Sequence, residues 1–398
     1  MLICLKRIIF WTHGKNSFKI IFTRLQNTQL KPISTKTHSL LTIDILRALA
    51  ALGVLFYHQH VGGLLAQYSG IPLFTKIDVF GANYAVPLFF LISGYCIHLS
   101  NIIYLKKNQN LPLKKYYIKR LLRIYPPYIL ALLFSIIVNH MTTASVNPSL
   151  TDVIIHVFVL QGFFQSSFNS INVVLWTISI ELAFYLIYPI FYYLRSRYSL
   201  NLALLFSFTI SSSCIIGYYL KTDLYYAAQK YFVLNLWFAW CCGAYLADKK
   251  TFSNNDLTKP LYKLIYLFIV LFFVLSLNFN YPALSIIYYQ FDILIWTGPL
   301  LFLISKEHWF EINQVLFIRV ITYIGLSSYS LYLLHEPLIY LKNFLVHKYI
   351  PVRFQFAFIC AGFGLVPFLA WLNYIIVERP FMRLTSRQNV KLSHFINK

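Results

Sequence analysis

The chain alternates long apolar stretches with short polar ones. Ten of the apolar stretches approach the ~20 residues that a helix needs to cross a ~30 Å hydrocarbon core. They cover roughly 41–63, 80–100, 125–140, 174–194, 201–220, 229–247, 261–279, 286–305, 320–345 and 354–377. No polar segment between them is long enough to form a domain. The pattern predicts an all-α, polytopic membrane protein with about ten transmembrane helices. Its membrane domain would occupy 41–381, between a basic N-terminal tail (1–40) and a basic C-terminal tail (382–398).

Composition agrees. Of 398 residues, 59% are hydrophobic and 12% charged, against roughly 25% charged in soluble domains, which excludes an ordinary soluble enzyme. The formal net charge of +22 first suggests nucleic acid, but such a partner needs a solvated basic face that this chain lacks. Its distribution explains it better. With the N-terminus inside, the inner segments hold 27 Lys and Arg and the outer ones 6, the positive-inside pattern that puts both termini in the cytoplasm. The N-terminal tail has apolar pieces too short for a secretory signal. Cys4, Cys96, Cys214, Cys241, Cys242 and Cys360 show no metal or disulfide spacing and read as small hydrophobes. No internal repeat is evident, which weighs against an inverted-repeat transporter.

Ionisable residues inside apolar runs are costly unless paired or facing a polar cavity, so they mark candidate chemistry. The first helix reads IDILRALAALGVLFYH, with Arg47 and His58 eleven positions apart. Eleven steps of about 100° return both to one face, ~16 Å apart along the axis, and Asp44 shares that face. The column reads either as a polar channel or as an interfacial Asp44–Arg47 pair with a His58 satisfied by a neighbouring helix. In the second helix, Ser93–Gly94 permits close approach of another backbone. Arg120 and Arg123, just before Pro126 and Pro127, suit either a bidentate phosphate clamp or a lipid-headgroup anchor. The fourth helix carries Trp176, Ser179 and Glu181, with Glu181 expected at a depth comparable with His58 and able to orient its imidazole. The ninth brings Tyr329, Tyr332, His335 and Glu336, and Glu378 with Arg379 reads as an interfacial pair.

Taken in order, IDILRALAALGVLFYH, PLFFLISGYCI, KRLLRIYP, LWTISIELAFYLIYP and SYSLYLLHEPL with a trailing VERPF resemble the integral-membrane acyltransferase family 3. The blocks span 43–381. The resemblance implies a ten-helix core in the cytoplasmic (inner) membrane. It also implies acetyl-CoA or another acyl-CoA as donor, and a hydroxyl of an envelope carbohydrate or glycolipid as acceptor, with membrane lipids around it and neither metal nor nucleic acid involved. Block by block, the family's essential Arg and His fall on Arg47 and His58, its donor-serving arginines on Arg120 and Arg123, its fourth-helix glutamate on Glu181 and its ninth-helix His on His335. Some relatives carry a C-terminal hydrolase-like domain, which is not expected here.

These residues lead to one mechanism and one competitor. In the first, coenzyme A phosphates bind Arg120 and Arg123, the pantetheine arm passes Arg47, and His58 acts as general base on the acceptor hydroxyl with help from Glu181. A covalent acyl-His58 is a variant. The site would be completed by Asp44, Ser93, Trp176, Ser179, Tyr329, Tyr332 and His335. The competitor is a secondary transporter or polysaccharide flippase using the same ionisable residues as a proton relay.

Overall fold

A computed structural model describes residues 40–142, 148–220, 230–252, 260–278, 285–313 and 315–384. The N-terminal tail before Leu40, the stretch 143–147 and the C-terminal tail from 385 lie outside the described residues. Within them the chain is helical and contains no strand. The helices are α1 (Leu41–His58), α2 (Val61–Ser69), α3 (Lys76–Asn83), α4 (Ala85–Lys106), α5 (Leu113–Thr142), α6 (Leu150–Val157), α7 (Trp176–Arg197) and α8 (Leu200–Leu220). They continue with α9 (Val233–Phe252), α10 (Pro260–Asn278), α11 (Ser285–Leu294), α12 (Thr297–Ser305), α13 (Glu307–Ile312), α14 (Leu316–Leu326), α15 (Ser328–Tyr349) and α16 (Val352–Asn373).

Each of the ten predicted apolar runs contains helix. Seven described helices are long and apolar enough to cross a membrane, or eight when α14 and α15 count as one bent span. The outward faces suit lipid: Leu133, Ile137, Leu186, Leu205, Leu267 and Phe302 are each more than half exposed, although apolar atoms on a soluble surface would be scattered rather than continuous. The protein is therefore a multi-pass membrane protein.

Three predicted runs differ in form. The run 320–345 is broken at Ser327, where α14 and α15 meet at 75°. The run 286–305 is interrupted between α11 and α12, where the Trp296 indole donates to the Tyr84 carbonyl (3.0 Å). The third difference is α5, which starts at Leu113 and continues through Pro126 and Pro127, so most of the basic segment 104–123 is helix. Proline removes a donor and frees the carbonyl four residues earlier; in membranes neighbouring helices compensate for such defects. Those carbonyls belong to Leu122 and Arg123; next to them the Tyr329 hydroxyl donates to the Ile124 carbonyl at 2.9 Å, tying α15 to the proline turn.

The core is organised around α9. Leu236, Ala239, Trp240 and Cys241 are buried on successive sides, which a span needs only when other helices surround it. It packs against α4 by direct backbone approach. A Cβ at Gly94 would strike the Trp240 carbonyl, and one at Gly243 would strike the Leu91 carbonyl. The predicted role of Ser93–Gly94 as a close-packing point is what the geometry contains.

A second organising contact fixes α1, whose N-terminus lacks a cap from its own sequence. Unpaired N–H groups there are costly in an apolar setting. Glu307, the first residue of α13, supplies the missing acceptor: its carboxylate takes the Leu41 and Thr42 amides (3.0 Å to Thr42) and the Thr42 hydroxyl. Negative charge at a helix N-terminus is also favourable to the helix dipole.

Candidate active site

Helix α1 carries two polar stations, and α4, α5, α7, α15 and α16 supply their neighbours. At the first, Arg47 donates to Asp44 (Nη1 to Oδ1, 3.2 Å) and to Cys96 Sγ (3.4 Å). Asp44 is 2% exposed, and its backbone carbonyl packs against Gly325 so closely that no Cβ would fit. Arg123, half-buried on α5, lies within electrostatic reach of both Asp44 and Glu378. Two guanidiniums and two carboxylates therefore meet near the basic end of the bundle, the end that holds Lys106, Lys114, Lys115 and Arg195.

Glu378 departs from its expected place at the interface with Arg379. It is 1% exposed and accepts the Ser330 hydroxyl at 2.7 Å, and Asn373 donates to the same Ser330 oxygen (3.0 Å). The cause is local. Residues Tyr374–Glu378 form a π-helical turn after α16, and the wider turn rotates Glu378 inward; such turns recur at functional sites.

Arg120 and Arg123 separate. Arg120 is buried and donates to Ser100 Oγ (2.6 Å), with its guanidinium 5.7 and 5.8 Å from the rings of Tyr116 and Tyr185. Its Nε is buried without a partner. Arg123 forms no hydrogen bond with any described residue. The i, i+3 spacing brings the two to different neighbours because a 60° offset on one helix is enough to face different grooves.

One step further along, Glu181 on α7 accepts from Ser93 (3.3 Å) and from the Tyr185 hydroxyl. Since α1 and α4 run antiparallel, with Gly53 beside Ala85 and Arg47 beside Cys96, Ser93 lies nearer the level of Arg47 than that of His58. Glu181 accordingly sits deeper than expected, and the carboxylate has no contact with the His58 ring among the described residues.

The second station is at the far end of α1. The His58 ring lies 5.0 Å, centroid to centroid, from that of His335 on α15. No described residue hydrogen-bonds either His58 nitrogen. His335 is 1% exposed, and its Nδ1 is 2.7 Å from the Tyr332 carbonyl and 3.2 Å from that of Leu331. Its Nε2 is buried and has no partner. Nearby, Lys342 donates to Gln59 Oε1 at 3.1 Å, joining the end of α1 to α15 a second time.

The remaining predicted residues build the walls. Tyr332 receives the Thr177 hydroxyl (2.9 Å) and donates to the Val174 carbonyl (3.2 Å). Ser179 accepts the Gly162 amide (3.1 Å), holding the 3₁₀ turn Gln161–Phe163 against α7. Trp176 stacks on Phe168 (4.9 Å) and Tyr231 (4.7 Å). Among the described residues no group of His, Cys, Asp and Glu is arranged to hold a metal.

One buried polar cluster escaped sequence reasoning. His98 is fully buried, with Nε2 2.9 Å from Asp248 and Nδ1 3.1 Å from the Tyr188 hydroxyl. Arg195 donates to both Asp248 oxygens (2.7 and 3.2 Å). Asp248 and Arg195 read in sequence as helix-end charges, and nothing in their spacing points to His98.

The sequence profile of an acyltransferase domain, Acyl_transf_3, matches residues 40–376. The chain belongs to this acyltransferase family. It is also 27% identical over 180 residues to the peptidoglycan O-acetyltransferase OatA of Listeria monocytogenes serovar 1/2a, an alignment covering 42% of this chain and 26% of the relative. The chain thus spans about a quarter of the length of that curated relative. No solved structure matches.

Proposed function

We propose that the protein is a membrane-embedded O-acyltransferase. It moves an acyl group, acetyl in the first instance, from cytoplasmic acyl-CoA to a hydroxyl of a cell-envelope carbohydrate. The observation that carries this reading is a file of polar groups through an apolar bundle. It runs from Arg47, Asp44, Arg123 and Glu378, past Glu181 and Tyr185, to His58 and His335. Buried ionisable residues persist in membranes where they serve a path or a reaction.

In this reading ten helices span the cytoplasmic membrane with both termini inside, so the basic end faces cytosolic donor. Arg123, and Arg47 with the donors that Asp44 and Cys96 leave unused, are the guanidiniums for the anionic part of coenzyme A, where planar, multi-donor groups suit phosphates. Arg120 contributes its unpartnered Nε while Ser100 and the tyrosines fix its plane. Glu181 lines the middle of the path. His58, with both ring nitrogens free, takes the acceptor's hydroxyl proton as the oxygen attacks the thioester carbonyl, then returns it to the departing thiolate. The family match and the O-acetyltransferase relative support the same reaction class.

The test compares envelope glycans of a deletion strain with its parent by mass. Loss of acyl-sized increments, restored by the wild-type gene and not by His58→Ala, is the expected result. Unchanged glycans together with altered solute or glycolipid transport would replace this reading with the carrier.

A further inference from the structure

We propose that His335 is the positioning residue for His58, its Nε2 lone pair accepting the ring N–H of His58 so that the opposite nitrogen of His58 faces the acceptor hydroxyl. The inference rests on the acyltransfer reading above for its chemistry and on four observations for its geometry. First, the rings are 5.0 Å apart. Imidazoles joined by an N–H···N bond of about 2.9 Å have centroids about 5 Å apart, so the pair is at the separation that such a bond requires.

Second, the tautomer of His335 is set. A backbone carbonyl accepts and cannot donate, so the Tyr332 oxygen 2.7 Å from Nδ1 holds the proton there and leaves Nε2 as a lone pair. Third, that lone pair is buried and unpartnered, whereas buried polar atoms nearly always have a partner. Two described rings lie beside His335: Tyr332 at 5.7 Å, whose hydroxyl is engaged by Thr177 and the Val174 carbonyl, and His58, whose nitrogens make no hydrogen bond with a described residue. Fourth, the nearby polar groups are committed to other elements: Glu181 accepts from Ser93 and Tyr185, the Glu336 carboxyl is turned to Tyr340 and the backbone at Val173 and Val174 with only its Oε2 left over, and Gln59, whose Nε2 is also unpartnered, is held by Lys342 through Oε1. The Lys342–Gln59 bond holds the two helix segments together one residue from His58.

The arrangement follows the logic of nucleophile, base and orienting group, with a neutral imidazole as orienter. The hydroxyl proton moves to the free nitrogen of His58, the new C–O bond forms as the C–S bond breaks, and the thiolate leaves with that proton. His335 neither gains nor loses a proton in the cycle.

The experiment uses the full chain in membrane vesicles, with acetyl-CoA and the envelope glycan fraction of the deletion strain as probes. CoA release and base-labile acetyl are followed for wild type, His335→Phe, His335→Gln and His58→Ala. Loss of an orienting partner is expected to lower kcat about 10²-fold in His335→Phe while KM for acetyl-CoA stays within about twofold. His335→Gln, which keeps an acceptor oxygen, should recover about a tenth of wild-type kcat or more. Nitrogen-15 spectra of histidine-labelled protein supply a readout independent of turnover: one His58 tautomer in wild type, a mixture in His335→Phe. The proposal is overturned if assembled His335→Phe keeps wild-type kcat, or if its His58 tautomer is unchanged. Wild-type vesicles that release no more CoA than His58→Ala would instead defeat the acyltransfer reading, and the tautomer comparison would still decide the role of His335.

Discussion

Two buried histidines, His98 and His335, sit at opposite ends of the same bundle in opposite conditions. His98, near the basic end, has both ring nitrogens engaged, by Asp248 and Tyr188, and Arg195 completes the ion pair. At the other end, His335 has a buried Nε2 without a partner, and the partly buried His58 ring beside it makes no hydrogen bond with a described residue. A saturated network rigidifies a core, whereas unsatisfied groups in a low-dielectric site are held ready for something that arrives. Residue type and burial do not distinguish His98 from His335; the state of hydrogen bonding does.

The comparison breaks most visibly if the two ends respond alike to mutation. At the saturated end, Asp248→Ala strands a buried His98 and frees Arg195, which is expected to cost about 3–5 kcal/mol. Thermal unfolding in detergent would record the loss, while turnover per folded molecule stays near wild type. Gly94→Val, which pushes a side chain into the Trp240 carbonyl, should cost about 1–3 kcal/mol by overpacking and act on folded yield in the same way. Strong loss of kcat in the surviving folded Asp248→Ala molecules would merge the two ends into one functional unit.

At the proposed donor end the expected effect is smaller and kinetic. Arg123→Lys keeps the charge and loses the planar fork, so KM for acetyl-CoA should rise about tenfold with kcat little changed. An unchanged KM would return Arg123 to the role of an interfacial anchor.

The smallest effect is outside the spans. Asp152, near the start of α6, accepts from Ser167 (2.6 Å) and Ser170 (3.2 Å), and these bonds, chiefly that of Ser167, hold its carboxyl below the usual range. A carboxyl with a depressed folded-state pKa contributes stability above its unfolded value, ~3.9, and loses it as pH falls through the folded one. Protease protection of the 149–170 loop should therefore be full at neutral pH, weaken only below about pH 4, and lose that acid dependence in Asp152→Asn.

Much of this was legible in the chain. The apolar runs located helices at all ten places, and eleven-residue spacing put Arg47 and His58 on one face of α1. Sequence also singled out Glu181 and His335 as costly residues in apolar surroundings, and Arg120 as one half of a basic pair. What it missed follows from how helices meet. Whether His58 faces Glu181 or His335 depends on the 75° bend at Ser327, a tertiary feature without a local signature. Glu378 turned inward because of a π turn that no glycine or proline announces. The parting of Arg120 and Arg123 arises from a 60° offset that matters only once Ser100, Tyr185 and Asp44 are in place. The apolar run began at 125, whereas α5 begins at Leu113 and carries Pro126 and Pro127 inside it.

The central claim is that His58 is the base of an acyl transfer in a site whose donor end is separate. The most direct measurement is acceptor-dependent CoA release from acetyl-CoA by vesicles carrying equal amounts of wild-type and His58→Ala protein. Release is expected to fall by about 10²–10⁴-fold in His58→Ala, the usual contribution of a positioned base, with acetyl-CoA binding retained. Release at the wild-type rate from correctly inserted His58→Ala would contradict it.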